Sequence, residues 1–378
     1  MQEDFHYYAT YCAAYLSGFS HEESLDICYS AQFVDLCSAT LLTKIKAPVN
    51  AATTQLQLEM MDARTDIIGL QDITRIWSSF HFLPYDLYAK KKGRTRRYMN
   101  KYRMICGPNG DLVIKTVKIS KNRTLQHVGI AMHVLADTWA HCYFAGTPSL
   151  AINNTDNEFY EILTQDGEEK QKKIKWRHNP SAPDDLEHSI YTNSLYQSSE
   201  NSIMNLGHGR AGHLPDYSFM KYRYMPAWGD YREIIKDNPS NYRKAFCQMV
   251  YAMRYIRGDY EEFERERYDT EKTGPHIDRI GEIIDKRQLL ASDDWKSFGE
   301  ELSGSKIDDF DLNKYQDEYI KAPREEKPQT FIGRFITGAL AQKGMVTNEI
   351  FNSGNILAGF SKIKVEKKET EQKPEETA

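Results

Sequence analysis

Residues 127–146 read HVGIAMHVLADTWAHCYFAG, and this stretch decides the fold because it joins an apolar helical run to three potential metal ligands. His133, Asp137 and His141 are spaced at i, i+4 and i+8, which places them on one face of a helix. A bare carboxylate among apolar neighbours carries a large desolvation cost. The stretch therefore predicts a buried helix that offers imidazole, carboxylate and imidazole to a single ion, with a buried hydrogen-bond network as the alternative.

The composition predicts a globular chain with a substantial core. The 378 residues are 40% hydrophobic and 12% aromatic, and the formal net charge of -5 argues against a dedicated nucleic-acid coat. The six cysteines include no CxxC pair, so we interpret them as small core residues rather than a disulfide framework. The acidic, aromatic start MQEDFHYY is unlike a secretory signal, and no apolar run approaches the roughly 20 residues of a spanning helix. These features predict a soluble, cytoplasmic protein.

Helical periodicity predicts a mainly α fold, in which residues 1–300 form one compact multi-helix domain. Apolar residues recur at helical spacing near the N-terminus, and Ser20 with Glu23 forms a capping-box signature that begins a second helix. Helical patterns return over 50–80, 240–268 and about 276–290.

Four segments depart from this pattern. Residues 90–123 carry twelve Lys or Arg residues against one acid, and their sequence around Pro-Asn-Gly predicts a basic β-hairpin insertion. Residues 150–182 are polar and rich in turn residues, which predicts a surface insertion. Residues 301–360 are expected to form a C-terminal extension, and the Lys/Glu-rich 361–378 a disordered tail.

Further potential ligands precede the apolar helix in the chain. His6 stands in an aromatic helical face, Asp35 follows AQFV, and His81 precedes Phe-Leu-Pro. Each alone is as readily explained by an ordinary core or hydrogen-bonding role, but the order His6, Asp35, His81, H-x-x-x-D, His resembles the zinc-dependent phospholipase C and single-strand-specific zinc nuclease superfamily. The stretches DFHYYATYCAAYLSGFSHEES and GHGRAGHLPDY are also similar to an uncharacterised bacterial family of unknown function.

The chain departs from the superfamily pattern at two places. The superfamily uses the α-amino group of an N-terminal Trp as a zinc ligand, whereas this chain begins with Met1 and Gln2. The superfamily also closes with His-x-x-x-Asp/Glu, whereas His208 is followed at i+4 by glycine. His208 remains a candidate ligand, and His213 and Asp216 are expected to substitute for the rest of this pattern.

The resemblance implies an all-helical domain that holds two or three zinc ions, or another divalent transition metal, and cleaves phosphodiester bonds. Asp137 is the predicted bridging carboxylate because it lies one helical turn from each neighbouring His. Asp35 is the expected catalytic group that orients or deprotonates water, and it is also a candidate ligand. The basic segment is either a solvated surface or a lip that recruits a phosphate-bearing substrate or nucleic acid through Arg94, Arg96 and Arg97.

The sequence thus predicts a zinc-dependent phosphodiester hydrolase of phospholipase C-like or nuclease-like type. One alternative is a helical HD-type phosphohydrolase, although no adjacent His-Asp pair occurs in the chain. Another is a non-enzymatic protein in which the cluster is a structural metal site or a polar network. Closed coordination would distinguish a structural site from a catalytic one, which leaves a position open to water. The sequence does not determine the oligomeric state.

Overall fold

The computed structural model describes residues 1–165, 167–177, 182–193 and 202–359, so the tail predicted over 361–378 lies outside the described residues. Fourteen α-helices lie within these ranges: α1 (Thr10–Leu16), α2 (His21–Leu36), α3 (Ala39–Lys44), α4 (Gln57–Ala63), α5 (Ile67–Phe80), α6 (Arg96–Tyr102), α7 (Asp111–Ser120), α8 (Leu125–Ala140), α9 (Leu150–Asn153), α10 (Asn238–Arg257), α11 (Ile277–Asp285), α12 (Ser292–Ser303), α13 (Leu312–Lys321) and α14 (Phe331–Asn352). The described strands are β1 (Tyr160–Gln165), β2 (Glu168–Lys173), β3 (Lys175–Arg177), β4 (Ile190–Thr192), β5 (Lys221–Tyr224) and β6 (Ile234–Asp237). The prediction of a mainly α fold is confirmed.

Helix α8, which contains residues 127–140 of the apolar run, is a central helix of the molecule. Every residue from Gln126 to Ala140 is buried, and the helix contacts α2, α7, α10 and α14. A helix that is apolar on all sides is stable only when other helices surround it. The buried helix predicted from the apolar run is therefore present, and it brings His133 and Asp137 into the protein interior.

Helix α2 packs along α8 and carries Asp35 near its C-terminal end. The predicted capping box begins this helix: the Ser20 hydroxyl accepts from the Glu23 backbone N–H, and the Glu23 carboxylate accepts from the Ser20 N–H. The two helices are in close contact at Gly129, where an added Cβ would lie 2.3 Å from the Ile27 carbonyl oxygen. The absence of a side chain at Gly129 thus allows the two helix backbones to pack directly against each other.

We expect Gly129→Ala to destabilise the protein by about 1–3 kcal/mol, because overpacking outweighs the roughly 1 kcal/mol gain in helix propensity. The matched control is Gly344→Ala in α14, where an added Cβ meets no atom within 4 Å. Urea unfolding followed by circular dichroism measures both variants. The close-packing argument fails if Gly129→Ala is no less stable than the control.

The predicted β-hairpin over residues 90–123 is wrong, because this segment forms helices α6 and α7. In α7 the buried residues Leu112, Val113, Thr116 and Val117 recur at helical rather than alternating spacing. The β-branched residues and the Pro-Asn-Gly turn suggested strands, but the turn instead precedes the N-terminus of α7. Burial on one face of the helix therefore overrides the strand propensity of its residues.

The small sheet lies instead between residues 160 and 237. Its four antiparallel strands have the order β2-β1-β5-β6, and β3 pairs with β4 in parallel. The predicted surface insertion over 150–182 thus contributes three strands and the short helix α9. A second apolar cluster that includes Phe82, Phe144, Phe159, Tyr222 and Tyr224 joins the sheet to the loops around α5 and α8. This contact positions the loop of residues 202–217 over the C-terminal end of α8.

Residues 301–359, predicted as an extension, contribute helices α13 and α14. Helix α14 contacts α5 and α8, and its apolar residues belong to the main core. Its buried Gln342 amide donates to the Ser79 carbonyl and to the Thr116 hydroxyl. All six cysteines are buried and unpaired, which confirms their interpretation as core residues. Among the described helices, none has the length and apolar character needed to cross a bilayer.

Candidate metal centre

Among the described residues, three groups of potential metal ligands lie at the centre of the fold, and two of them share His133. Within each group the donor atoms lie within 4.8 Å of one another. The groups are His6, His133 and Asp137; then Asp35, His81 and His133; and finally His141, His208 and Asp216. Eight of the nine metal-ligand positions predicted from the sequence therefore come together, and we call these eight residues the His/Asp cluster.

The three ligands on α8 are divided between the groups, which corrects the expectation of a single ion on one helix face. His133 Nε2 lies 3.3 Å from Asp137 Oδ2, whereas His141 Nε2 lies 3.1 Å from Asp216 Oδ1. His141 is the C-cap residue of α8, where the backbone leaves the helical path. Its ring therefore faces the loop of residues 202–217 instead of His133.

Asp137 lies between the groups. Its Oδ1 lies 3.1 Å from His6 Nε2, and its Oδ2 lies 3.4 Å from His81 Nδ1 and 3.5 Å from His141 Nδ1. Burial alone would raise the pKa of Asp137, but the surrounding imidazoles and the Met1 ammonium hold it well below its usual range. The Asp137 carboxylate is thus a central anion whose two oxygens lie close to imidazole nitrogens from different groups.

Four imidazoles of the cluster each have one nitrogen that faces a backbone carbonyl oxygen. His133 Nδ1 lies 2.9 Å from the Ala31 oxygen, and the other three contacts are His81 Nε2 to Thr53 at 3.0 Å, His141 Nδ1 to His81 at 2.8 Å and His208 Nδ1 to Gly212 at 2.7 Å. A carbonyl oxygen can only accept, so each of these nitrogens must carry the proton. The opposite nitrogen of each neutral ring then directs a lone pair into the cluster.

Two of the inward nitrogens consequently face one another. His81 Nδ1 and His133 Nε2 lie 3.3 Å apart, and burial lowers the pKa of His133 to about 4, so no proton is available from its ring near neutral pH. Burial likewise lowers the pKa values of His6 and His208 to about 4. Although His6 Nε2 lies 3.1 Å from Asp137 Oδ1, the described residues give neither His6 nitrogen, nor Asp137 Oδ2, a hydrogen bond of suitable geometry. Facing lone pairs repel each other unless a cation lies between them, so the donor set fits a bound metal ion.

His6 reaches the cluster from an unusual backbone segment. Residues Asp4–Ala9 form a π-helix, a widened turn that occurs often at functional sites. The His6 ring stacks on that of His133 with a centroid distance of 3.7 Å. The wide turn also brings the start of the chain into the interior.

The Met1 α-amino group contacts the cluster, although the sequence did not predict it as a member. Its nitrogen lies 2.6 Å from Asp137 Oδ1, 3.0 Å from His141 Nε2 and 3.4 Å from Asp216 Oδ1. Burial lowers the pKa of this ammonium, but Asp137 and Asp216 outweigh that effect and raise the pKa to about 10. The superfamily resemblance contained the relevant signal, an N-terminal amine as a ligand, although the residue type differs.

Asp35 forms the solvent side of the cluster. Its Oδ1 lies 3.7 Å from His81 Nδ1 and 3.9 Å from His133 Nε2, and its side chain is 32% exposed. His208 is the next most accessible member at 19%, whereas His6, His133 and Asp137 are almost fully buried. Desolvation raises the pKa of Asp35, and His6 and His81 partly offset that effect. The cluster is therefore open to water at Asp35.

His213 lies outside the cluster. Its side chain is 59% exposed and faces the Asp184 carboxylate at 3.7 Å, and this carboxylate is the main cause that raises the pKa of His213. The expectation that His213 would substitute for a missing ligand is wrong, because the glycine-rich turn before it directs its ring away from Asp216. His208 and Asp216 occupy the cluster without it.

The predicted substrate-binding arginines are not joined to the cluster by any contact that the described residues show. Arg94 pairs with Asp230, while Arg96 and Arg97 line a surface groove beside the start of α5. These arginines lie on α6 and on the loop before it, which the sequence analysis had expected to be a hairpin at the mouth of the site.

The fold and the cluster define a mainly helical protein with a buried His/Asp centre suited to metal ions. The chain belongs to the family described as a family of unknown function (DUF6765), whose model matches residues 1–350. Neither the curated proteins nor the solved structures compared with the chain contain a match.

Proposed function

We propose that the protein is a metal-dependent phosphodiester hydrolase with a di- or trinuclear, zinc-type centre. The observation that carries the proposal is the set of imidazoles whose outer nitrogens are bound to backbone carbonyls and whose inner nitrogens converge on shared carboxylates. Such outer contacts orient ligating imidazoles and set their tautomer in metalloproteins. The phosphodiester substrate class comes from the resemblance in motif order.

The three groups suggest which residues would hold each ion. One ion would take His6, His133 and Asp137, a second Asp35 and His81, and a third His141, His208 and Asp216, with the Met1 amine beside it. Zinc accepts imidazole nitrogen and carboxylate oxygen, polarises phosphoryl oxygens and lowers the pKa of bound water to about 7. Asp137 would connect the groups, since its two oxygens face different donors.

The chain's own residues suggest how the reaction would be organised. The carbonyls of Ala31, Thr53 and Gly212 hold the imidazoles in fixed orientations. Asp35 is the carboxylate with the greatest access to solvent, and its raised pKa favours a role as the base that accepts a proton from attacking water. Water access at Asp35 favours a catalytic centre over a structural one, which would be closed.

Metal analysis of protein purified without chelator, followed by assays on soluble and lipid phosphodiesters, tests the proposal. We expect two or three equivalents of transition metal and a metal-dependent hydrolysis that His133→Ala abolishes. His188→Ala is the matched control, because this exposed His pairs with Asp185 away from the cluster.

Less than one equivalent of metal together with unchanged activity in His133→Ala would refute the proposal. Unfolding by chelator without any associated hydrolysis would instead identify a structural metal site.

A further inference from the structure

Helix α4 has no buried residue, which is unusual for a helix that carries Leu58, Met60 and Met61. Leu58 is 78% exposed, and at the start of the next helix Ile67 is 70% and Ile68 68% exposed. Large aliphatic side chains that are grouped and exposed mark contact surfaces more often than they mark ordinary solvated surface. We call α4 and the first turn of α5 the apolar corner.

The apolar corner is held in place by polar contacts, so its exposure is not a consequence of a loose helix end. The Glu59 carboxylate accepts from the backbone N–H groups of Leu56 and Thr40, at 3.0 and 2.6 Å. Asp66 caps α5 by accepting from the Gly69 N–H at 2.8 Å. These hydrogen bonds use the Glu59 and Asp66 carboxylates within the fold and leave the aliphatic side chains directed outward.

Cationic side chains flank the apolar corner. A groove of about 780 Å³ separates α5 from α6, and its lining includes Ile67 and Leu70 on one side and Arg96, Arg97 and Lys101 on the other. Arg96 and Arg97 are exposed. Aliphatic side chains beside clustered cations are the combination that binds the interface of an anionic bilayer.

We propose that the apolar corner and the basic face of α6 form a docking surface for membranes that contain anionic phospholipids. Ile67, Ile68 and Leu58 would enter the boundary between head groups and acyl chains, while Arg96 and Arg97 would contact lipid phosphates. A nucleic acid would satisfy the arginines but would offer no apolar phase for the aliphatic side chains. The inference rests on this surface alone and is independent of what the His/Asp cluster binds.

Cosedimentation with vesicles of phosphatidylcholine, with and without phosphatidylglycerol, tests the proposal on the full-length protein as purified. We expect strong sedimentation with the anionic vesicles that weakens as salt rises. Ile67→Ser with Ile68→Ser should lower the partition coefficient by at least about tenfold, because two aliphatic anchors are removed. Arg96→Gln with Arg97→Gln should abolish the preference for anionic lipid.

Matched controls replace exposed residues elsewhere: Ile235→Ser with Leu290→Ser for the apolar pair, and Arg324→Gln for charge. Circular dichroism checks each fold, and Leu58→Ser replaces the isoleucine variant if that variant unfolds.

Equal sedimentation of all variants, or no sedimentation with either kind of vesicle, would overturn the proposal. A concentration-dependent dimer that the isoleucine variant loses would assign the surface to a second copy of the chain and also overturn it.

Discussion

Asp137→Asn is expected to leave the purified protein with less than one equivalent of bound metal and no detectable phosphodiesterase activity. The physical reason is the position of the carboxylate between all of the donor groups, within 3.5 Å of His6, His81, His133 and His141. An amide retains the size of the side chain but lacks the anionic charge that metal binding requires. Loss of the negative charge at this one position should therefore weaken metal binding in every part of the centre.

The same substitution should also destabilise the metal-free protein by about 3–5 kcal/mol, because it leaves the buried Met1 ammonium without its nearest anion. The folded-state pKa of this ammonium is about 10, against an ordinary value of 8.0. Its stabilising contribution is therefore complete below pH 8 and is lost as pH rises toward 10. In wild type we expect a loss of roughly 3 kcal/mol over this window, and a shallower loss in the variant.

Asp269→Asn is the matched control for Asp137→Asn. Asp269 is also buried and paired with a cation, Arg254, at 2.7 Å, but it lies outside the cluster. The control should lose stability and keep its metal. If Asp137→Asn retains two or more equivalents of metal, or if the control loses them too, the central role of Asp137 is refuted.

Asp35→Asn is expected to lower the turnover rate by about 10²–10⁴-fold while most of the bound metal is retained. Asp35 lies at the solvent side, 3.7 Å from the nearest imidazole nitrogen, so it contributes less to holding an ion than Asp137 does. The amide cannot accept a proton from water, and the acidic limb of the pH–rate profile should therefore disappear or shift. Steady-state kinetics across pH, with metal analysis of the same sample, measures both effects.

Asp26→Asn is the control for this variant, because Asp26 lies on the same helix but away from the cluster. Unchanged turnover in Asp35→Asn would exclude Asp35 as the base. Loss of metal in parallel with activity would reassign Asp35 as a ligand only.

Local sequence patterns predicted several features correctly. The capping residues Ser20 and Glu23, the apolar run of α8 and the helical spacing around His6 depend on neighbours a few residues away, and the structure contains all three. The prediction of a β-hairpin over residues 90–123 was wrong. The β-branched residues and the Pro-Asn-Gly turn favour strands locally, whereas packing against the core buries one face of a helix there.

Sequence patterns likewise predicted the members of the candidate site but not how they are grouped. Residue type and order selected eight cluster members, because imidazole and carboxylate in apolar surroundings are costly wherever they occur. Spacing along α8 could not show that His133 and His141 separate, since the helix ends at His141 and the loop carrying Asp216 comes from elsewhere in the chain. For the same reason spacing could not exclude His213, whose direction depends on the turn at Gly212.

Residue patterns were therefore sufficient to predict a helical protein with a buried centre of histidines and aspartates. The tertiary structure alone decided which nitrogens face inward, because that depends on the carbonyls of Ala31 and Thr53 on distant segments. It also decided that the Met1 amine contacts Asp137, a residue 136 positions away in the chain. Helix periodicity is a local property, whereas the grouping of ligands arises from contacts between distant segments, which no spacing rule encodes.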